Sequence, residues 1–148
     1  MKYEINEETI AIIPEDENKT RIIEVSNDYV IEQPTFSIME ENCEYYGSTY
    51  DGRITAAKKI LNFSYKLPLL IEESEKLIFF PTTSATSDQC CWINHNHVKQ
   101  RNKTLNGTKV TFTNGVVEEF KISKLSFENQ LLRASMLDSM ISKRIKQK

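Results

Sequence analysis

Apolar positions in the first part of the chain occur in short runs of strand length. Thr9–Ile13 is rich in β-branched residues and ends at Pro14, and Arg21–Val25 has the same character. The charged segment Glu15–Lys19 separates them, so the pattern predicts a β-hairpin. Tyr29–Ile31 predicts a third short strand.

Helical spacing follows in Pro34–Tyr46, where apolar residues recur at intervals of three and four. The predicted buried stripe consists of Phe36, Met39, Cys43 and Tyr46. Pro34 suits the first turn of this helix and Gly47 suits the position just after its end. Arg53–Leu61 predicts a second, shorter amphipathic helix. Its inward positions are Ile54, Ala57, Ile60 and Leu61, and its outward positions are Lys58 and Lys59.

The middle of the chain returns to strand-length apolar runs, Leu67–Ile71 and Leu77–Phe80. Pro81–Gln89 is rich in Thr and Ser and predicts a loop. Cys90–Ile93 is a compact apolar piece that we expect to be buried.

Residues 97–122 predict a β-meander, because Asn106-Gly107 and Asn114-Gly115 separate three β-prone segments. A two-residue turn at Asn114-Gly115 divides the apolar side chains between two faces. A three-residue loop over residues 113–115, with Gly115 left-handed, gathers them on one face and is therefore preferred. That face holds Val110, Phe112, Val116, Phe120 and Ile122.

Ser126–Ile145 is the strongest predicted helix, with Ser126 as its cap and Glu128 in its first turn. Its apolar stripe is wide, which indicates either burial within the monomer or an interface. The expected class is α+β, with short antiparallel strands, a β-meander and amphipathic helices. Residues 1–148 are expected to form a single domain, since the length and the 39% hydrophobic content suit one core.

No apolar run approaches the length of about 20 residues that crosses a bilayer, and the first residues do not resemble a signal peptide. A cytoplasmic location without membrane association is therefore expected. Charge is unevenly distributed: residues 1–50 carry 3 Lys/Arg and 12 Asp/Glu, whereas residues 90–148 carry 11 and 4. This asymmetry indicates either a half that faces a polyanion or two patches that attract each other within the fold.

Candidate enzymatic and metal chemistry is sparse. Neither a nucleophile elbow, a phosphate loop nor a dinucleotide fingerprint is present. Adjacent Cys90 and Cys91 are poorly spaced for zinc, and His95 and His97 lack an evident third ligand. With Cys43 the thiols number three, which favours reduced cysteines. We expect neither a metal, a cofactor nor a catalytic site.

Basic residues point to nucleic acid. If residues 95–103 are extended, alternate side chains from His95 to Lys103 project from one face as a phosphate track. A patch on the second predicted helix is the other candidate. The predicted contacts are Arg53, Lys58, Lys59, Lys99, Arg101, Lys103 and Lys109. An ordinary solvated strand edge with protective lysines explains the same pattern.

Several segments, in order along nearly the whole chain, resemble the ComK family of competence transcription factors. They include CEYYGSTYDGR at residues 43–53 and QCCWINHNHVK at residues 89–99. The other matching segments are Tyr3–Asn6, Thr9–Pro14, Phe79–Thr82, Val110–Gly115 and Ser126–Gln130.

The resemblance implies a nucleoid-associated regulator that activates DNA-uptake genes. It further implies binding to paired A/T-rich boxes, largely through the minor groove, by a homo-oligomer. ComK-like proteins usually continue beyond the position of Lys148, with a tail associated with activation and with the MecA adaptor that delivers them to Clp proteolysis. The alternative function is a protein-interaction module or antagonist that oligomerises with full-length relatives without contacting DNA.

Overall fold

Two antiparallel sheets and three α-helices form the computed structural model, which describes residues 1–146. The predicted α+β class is confirmed. The strands are β1 (Thr9–Asp16), β2 (Lys19–Glu24), β3 (Asp28–Ile31), β4 (Leu69–Glu72), β5 (Leu77–Pro81), β6 (Trp92–Asn94), β7 (Val98–Lys103), β8 (Thr108–Phe112) and β9 (Val117–Phe120). The helices are α1 (Thr35–Tyr45), α2 (Tyr50–Leu61) and α3 (Lys124–Lys146). Within the described residues, none of the helices combines the length and apolar character needed to cross a membrane.

The large sheet contains six strands in the order β3-β2-β1-β6-β5-β4. All residues of β5 and β6 are buried, because both faces of the sheet are covered. This explains why the sequence shows continuous apolar runs there instead of alternation. The small sheet has the order β7-β8-β9 and leaves β7 at an edge.

Two apolar layers hold the large sheet. On one face, Phe80 and Ile93 pack with Phe112 of the small sheet and with Phe127 of α3. On the other face, Trp92 packs in a layer with Met39 of α1 and the N-terminal segment. Helix α2 lies against β4 at the edge of the large sheet and touches both α1 and α3.

The predicted hairpin is confirmed, with Ile12 opposite Ile22. The expected end of the first strand at Pro14 is wrong, because β1 continues to Asp16. Pro14 pairs with Thr20, and the register shifts between Pro14 and Asp16. An irregularity of this kind lets a strand accommodate a residue that has no amide hydrogen.

The predicted register of the β-meander is confirmed. The amide of Phe112 donates to the carbonyl of Val116 (2.9 Å), and Val110 is opposite Glu118. Gly115 has a φ of 88°, the left-handed conformation that the three-residue loop requires. The apolar face of the meander thus packs inward as one surface.

Helix starts were predicted less accurately than helix ends. Pro34 occupies the N-cap position of α1 instead of its first turn, while Gly47 follows the helix with a φ of 92° as expected. Helix α2 begins at Tyr50, because the hydroxyl of Thr49 accepts the amide of Gly52 (2.9 Å). Ser126 is not the cap of α3.

The cap of α3 is supplied three residues earlier than predicted. The hydroxyl of Ser123 accepts the amide of Ser126 (3.1 Å), and the helix begins at Lys124. The final turn carries exposed cations, as expected: Lys143, Arg144 and Lys146.

Asn42 ties the N-terminal segment to α1. Its side chain is fully buried, and its Nδ2 donates to the carbonyls of Tyr3 (3.0 Å) and Ile38 (2.9 Å). Its Oδ1 accepts the amide of Ile5 (2.8 Å). One side chain therefore satisfies two backbone groups of the N-terminal segment, the carbonyl of Tyr3 and the amide of Ile5, that burial would otherwise leave unpaired.

We predict that Asn42→Ala lowers the free energy of unfolding by about 3 kcal/mol, because it strands these buried groups. Urea denaturation followed by circular dichroism measures the change. Asn106→Ala, at an exposed turn, is the matched control and should cost less than about 0.5 kcal/mol. A similar small loss in both variants would contradict the assigned role.

Candidate nucleic-acid interface

Strand β7 is the most polar strand of the structure. After Val98 it contains only Lys, Gln, Arg, Asn and Lys, and it forms a free edge of the small sheet. The phosphate track required residues 95–103 to be extended throughout, and this condition is not met, because His95–His97 form a single turn of 3-10 helix. The histidines therefore do not join a basic row.

The alternation of side chains within β7 is interrupted. Val98 is opposite Phe112 and Gln100 is opposite Thr111, so Lys99 is an extra residue without a partner on β8. The prediction of a continuous row of alternate cations is therefore also wrong.

Beyond the interruption, the pairing of β7 with β8 assigns the basic side chains to faces. Arg101 and Lys103 are opposite Val110 and Thr108, whose side chains are buried. Lys109 is opposite Asn102 and lies on the other face of the small sheet.

Arg101 is the one predicted contact with a strong partner. Its Nε and Nη2 donate to the two carboxylate oxygens of Glu128 on α3, at 2.6 and 3.1 Å. Hydrogen bonding to Arg101 lowers the pKa of Glu128, and the same bonds raise the pKa of Arg101. The other six predicted contacts form no ion pair with any residue of the described range 1–146.

The turn between β7 and β8 presents an apolar side chain between cations. Leu105 is 98% exposed at this turn, which is closed by the amide of Thr104 donating to the carbonyl of Gly107 (2.9 Å). A Cβ on Gly107 would overlap the carbonyl oxygen of Phe120. The turn is thus packed directly against the end of β9.

The chain segment that packs against this turn contains two lysines that were not among the contacts predicted from the sequence. Phe120 is opposite Thr108, and the Thr108 hydroxyl donates to the carbonyl of Ile122 (2.8 Å). Lys121 lies between these two contact residues in the chain, Lys124 follows at the start of α3, and both are exposed like Lys103. No local pattern in the sequence points to these two lysines, because their position relative to the turn depends on how β9 leads into α3.

The second predicted patch lies elsewhere. Lys58 and Lys59 are exposed in the last turn of α2, and Arg53 is half-buried against the C-terminal half of α3. Arg101 contacts α3 at Glu128, whereas Arg53 shares a groove with Ile141. These positions are about 20 Å apart along the helix, so the structure forms two basic patches.

The acidic first third does not neutralise the basic last third. Between these segments, the ion pair in the described part of the chain joins Arg21 to Glu118 (2.7 Å), with the cation supplied by the acidic segment. Arg21 also pairs with Asp28 at 2.7 Å. These contacts thus do not support the explanation that the acidic and basic patches attract each other within the fold.

His97 makes tertiary hydrogen bonds, and the thiols of Cys43 and Cys91 have raised pKa values. His97 links the carbonyl of Glu7 and the hydroxyl of Thr113, each at 2.7 Å. Burial raises the pKa of Cys43 and of Cys91 to about 12, which keeps these thiols protonated. Among residues 1–146, His, Cys, Asp and Glu side chains form no group of three or more suited to a metal ion.

His95 is a buried titratable group between β6 and α3. Its side chain is 7% exposed, and its Nε2 lies 3.3 Å from Asp138 Oδ2. Burial lowers its pKa below 6.5, and the nearby Asp138 only partly opposes this shift. The folded protein therefore favours the neutral ring.

We predict that stability falls as the pH drops below 6.5, because the unfolded chain then binds a proton at His95 that the folded protein resists. His95→Gln should flatten this dependence, whose slope is at most about 1.4 kcal/mol per pH unit. Urea unfolding at pH 5.5 and 7.5 provides the test, with Asn96→Ala as control. An unchanged slope in His95→Gln would refute the assignment.

Comparison with known proteins assigns the chain to a family. The family described as ComK protein matches residues 1–146. A curated protein of Bacillus subtilis (strain 168) named Competence transcription factor is 37% identical over 147 residues, covering 97% of this chain and 77% of that protein. No solved structure gives a significant match. With nearly its whole length matched, the chain belongs to the ComK protein family.

Proposed function

We propose that this chain is a transcription regulator of genetic competence that binds A/T-rich promoter boxes through the minor groove as a homo-oligomer. The similarity to a competence transcription factor supports the regulatory role. In this proposal residues 1–148 act as one DNA-binding domain without enzymatic activity. The MecA adaptor and Clp protease are proposed partners on the basis of the family resemblance alone.

The observation that carries the proposal is the composition and exposure of β7. From Lys99 to Lys103 this edge strand offers only Lys, Gln, Arg and Asn side chains. These are the residue types that minor-groove proteins use to contact phosphates and to read A·T against G·C pairs. A-tracts have a narrow minor groove with enhanced negative potential, which attracts such cations.

Leu105 supplies a second element of the proposed contact. Minor-groove proteins insert apolar side chains between base steps while neighbouring cations hold the phosphates. Leu105 is 98% exposed at the end of the β7–β8 hairpin, two residues after Lys103. The hairpin packs against Phe120 and Ile122, which lie next to Lys121 and just before Lys124 in the chain. We therefore add Leu105, Lys121 and Lys124 to the proposed contact set.

The proposed set also keeps all seven residues selected from the sequence, which are Arg53, Lys58, Lys59, Lys99, Arg101, Lys103 and Lys109. A duplex that reached both patches would extend along α3. Short boxes carry little information in the minor groove, so a homo-oligomer on repeated boxes would supply the missing specificity.

We predict that the triple substitution Lys99→Ala, Arg101→Ala and Lys103→Ala weakens binding to all duplexes. The slope of log K against log salt should fall by about one for each cation that no longer reaches a phosphate. Fluorescence anisotropy with A/T-box and G/C-rich duplexes over a salt series measures both effects. Lys19→Ala, an exposed cation of the acidic third, is the control.

Equal affinity of the triple variant and the parent would place the DNA-binding surface elsewhere. Failure of the parent to bind any duplex would instead favour the protein-interaction function. Arg101→Lys distinguishes the effect of the positive charge on DNA affinity from the effect of the paired hydrogen bonds, because it keeps the cation but removes the bidentate bond to Glu128.

We predict that Leu105→Ala reduces affinity for the A/T box by about tenfold or less while leaving the salt slope unchanged, since every cation that faces a phosphate is still present. Energy transfer between dyes at the duplex ends should report a smaller bend. Leu132→Ala, an exposed leucine in the middle of α3, is the control. Disappearance of the salt dependence in Leu105→Ala would contradict an apolar insertion.

A further inference from the structure

A pocket on the acidic side of the molecule has an apolar floor. Trp92 and Phe36 form this floor with Pro14 and Pro34, between the β1–β2 turn, the start of α1 and the loop before β6. The pocket volume is about 310 Å³, which is roughly ten times the share of one water molecule in the liquid. It is large enough for a branched aliphatic side chain.

Three carboxylates stand at the rim of this pocket, and all are exposed: Asp16, Glu17 and Asp88. None of them forms an ion pair with another residue of the described range. Glu15 continues the same acidic surface beside Asp88. An occupant that suits this pocket combines an apolar side chain with flanking positive charges.

The C-terminal end of α3 has this combination. Ile141 is the last buried residue of the helix, and residues 143–146 of the final turn are exposed. Ile145 continues the buried stripe of α3 but is 46% exposed. Lys143, Arg144 and Lys146 surround it and form no ion pair within residues 1–146.

The pocket and the helix end lie at opposite ends of the large sheet. Gln130 of α3 donates to the carbonyl of Pro81 (2.9 Å), which is opposite Trp92 beside the pocket. Asp138 lies 3.8 Å from Lys76, at the other end of β5. Helix α3 therefore runs away from the pocket, and a chain cannot insert its own helix end.

We propose that the end of α3 of one copy, centred on Ile145, inserts into the acidic-rimmed pocket of a second copy. The inference specifies the homo-oligomer of the proposed function and rests on it in that respect. The contact is head-to-tail, so it leaves a free pocket and a free helix end on every pair. Its small area makes it weak and concentration-dependent in isolation.

Sedimentation equilibrium over a concentration series tests self-association without DNA. Ile145→Asp and the double variant Glu17→Lys, Asp88→Lys should each raise the dissociation constant about tenfold or more, since they remove the apolar insertion or the charge complementarity. About 1 M NaCl should weaken the parent, because it screens exposed charges beyond ~3 Å. Glu8→Lys, an exposed carboxylate away from the pocket, should leave association unchanged.

Mixing the two defective variants distinguishes this geometry from a symmetric one. The Glu17→Lys, Asp88→Lys variant retains its helix end and Ile145→Asp retains its pocket, so together they should form a 1:1 dimer that does not grow further. A parent that stays monomeric at millimolar concentration would overturn the proposal. So would association that disappears in Leu132→Asp, on the exposed stripe of α3, but persists in Ile145→Asp.

The emission of Trp92 provides a direct readout on the full chain, because Trp92 is the only tryptophan and contributes to the pocket. A change in its emission with protein concentration should occur in the parent and be absent in Ile145→Asp. No change up to millimolar parent protein would refute insertion.

The DNA-binding assay and the self-association measurements distinguish failure of the proposed function from failure of the proposed contact. If the helix end serves DNA, Lys143→Ala lowers duplex affinity while Ile145→Asp leaves the sedimentation result unchanged, and the proposal fails although DNA binding stands. If association behaves as expected but no duplex binds, the self-association stands and the DNA-binding function fails.

Discussion

Burial of the large sheet on both faces is the constraint on which the structure depends. Strands β5 and β6 expose no residue, so each face needs its own cover of matching apolar surface. Helix α1 and the N-terminal segment cover one face, while α3 and the small sheet cover the other. The small sheet is thereby held as a rigid support, and its polar edge strand β7 is presented to solvent. The exposed basic residues are positioned by this layering and not by contacts among themselves.

Local patterns predicted well wherever a single buried face determined the outcome. The three-residue loop before Val116 followed from the need to place Val110 and Phe120 on one side of the meander, and the structure has that register. The hairpin of β1 and β2 and the apolar runs of β4 and β5 were predictable for the same reason. In each case neighbouring residues carry the information.

Features that depend on distant parts of the chain were missed. The pairing of Arg101 with Glu128 joins residues 27 positions apart, and the extra residue at Lys99 changes the facing of every later side chain in β7. Ser123 and Ser126 are both serines and would cap a helix equally well, so residue type does not distinguish them. Which of them is the cap depends on where the chain leaving β9 becomes helical. Residue type identified the basic candidates. The sequence did not show that they separate into two patches, or that Lys121 and Lys124 belong to the segment that packs against the β7–β8 turn.

Helix α3 links features that would otherwise be independent. It binds β7 through Glu128, β5 through Gln130 and the neighbourhood of α2 through Ile141. The residues of α3 that contact β7, β5 and α2 must therefore all lie at angles fixed by one uninterrupted helix. One residue inserted between Glu128 and Leu137 would turn Leu137 and Ile141 by about 100° relative to Glu128 and advance them by about 1.5 Å. The pairing with Arg101 and the packing beside Arg53 would then not be kept together. Natural length variation in this helix is therefore constrained by angular alignment as much as by packing.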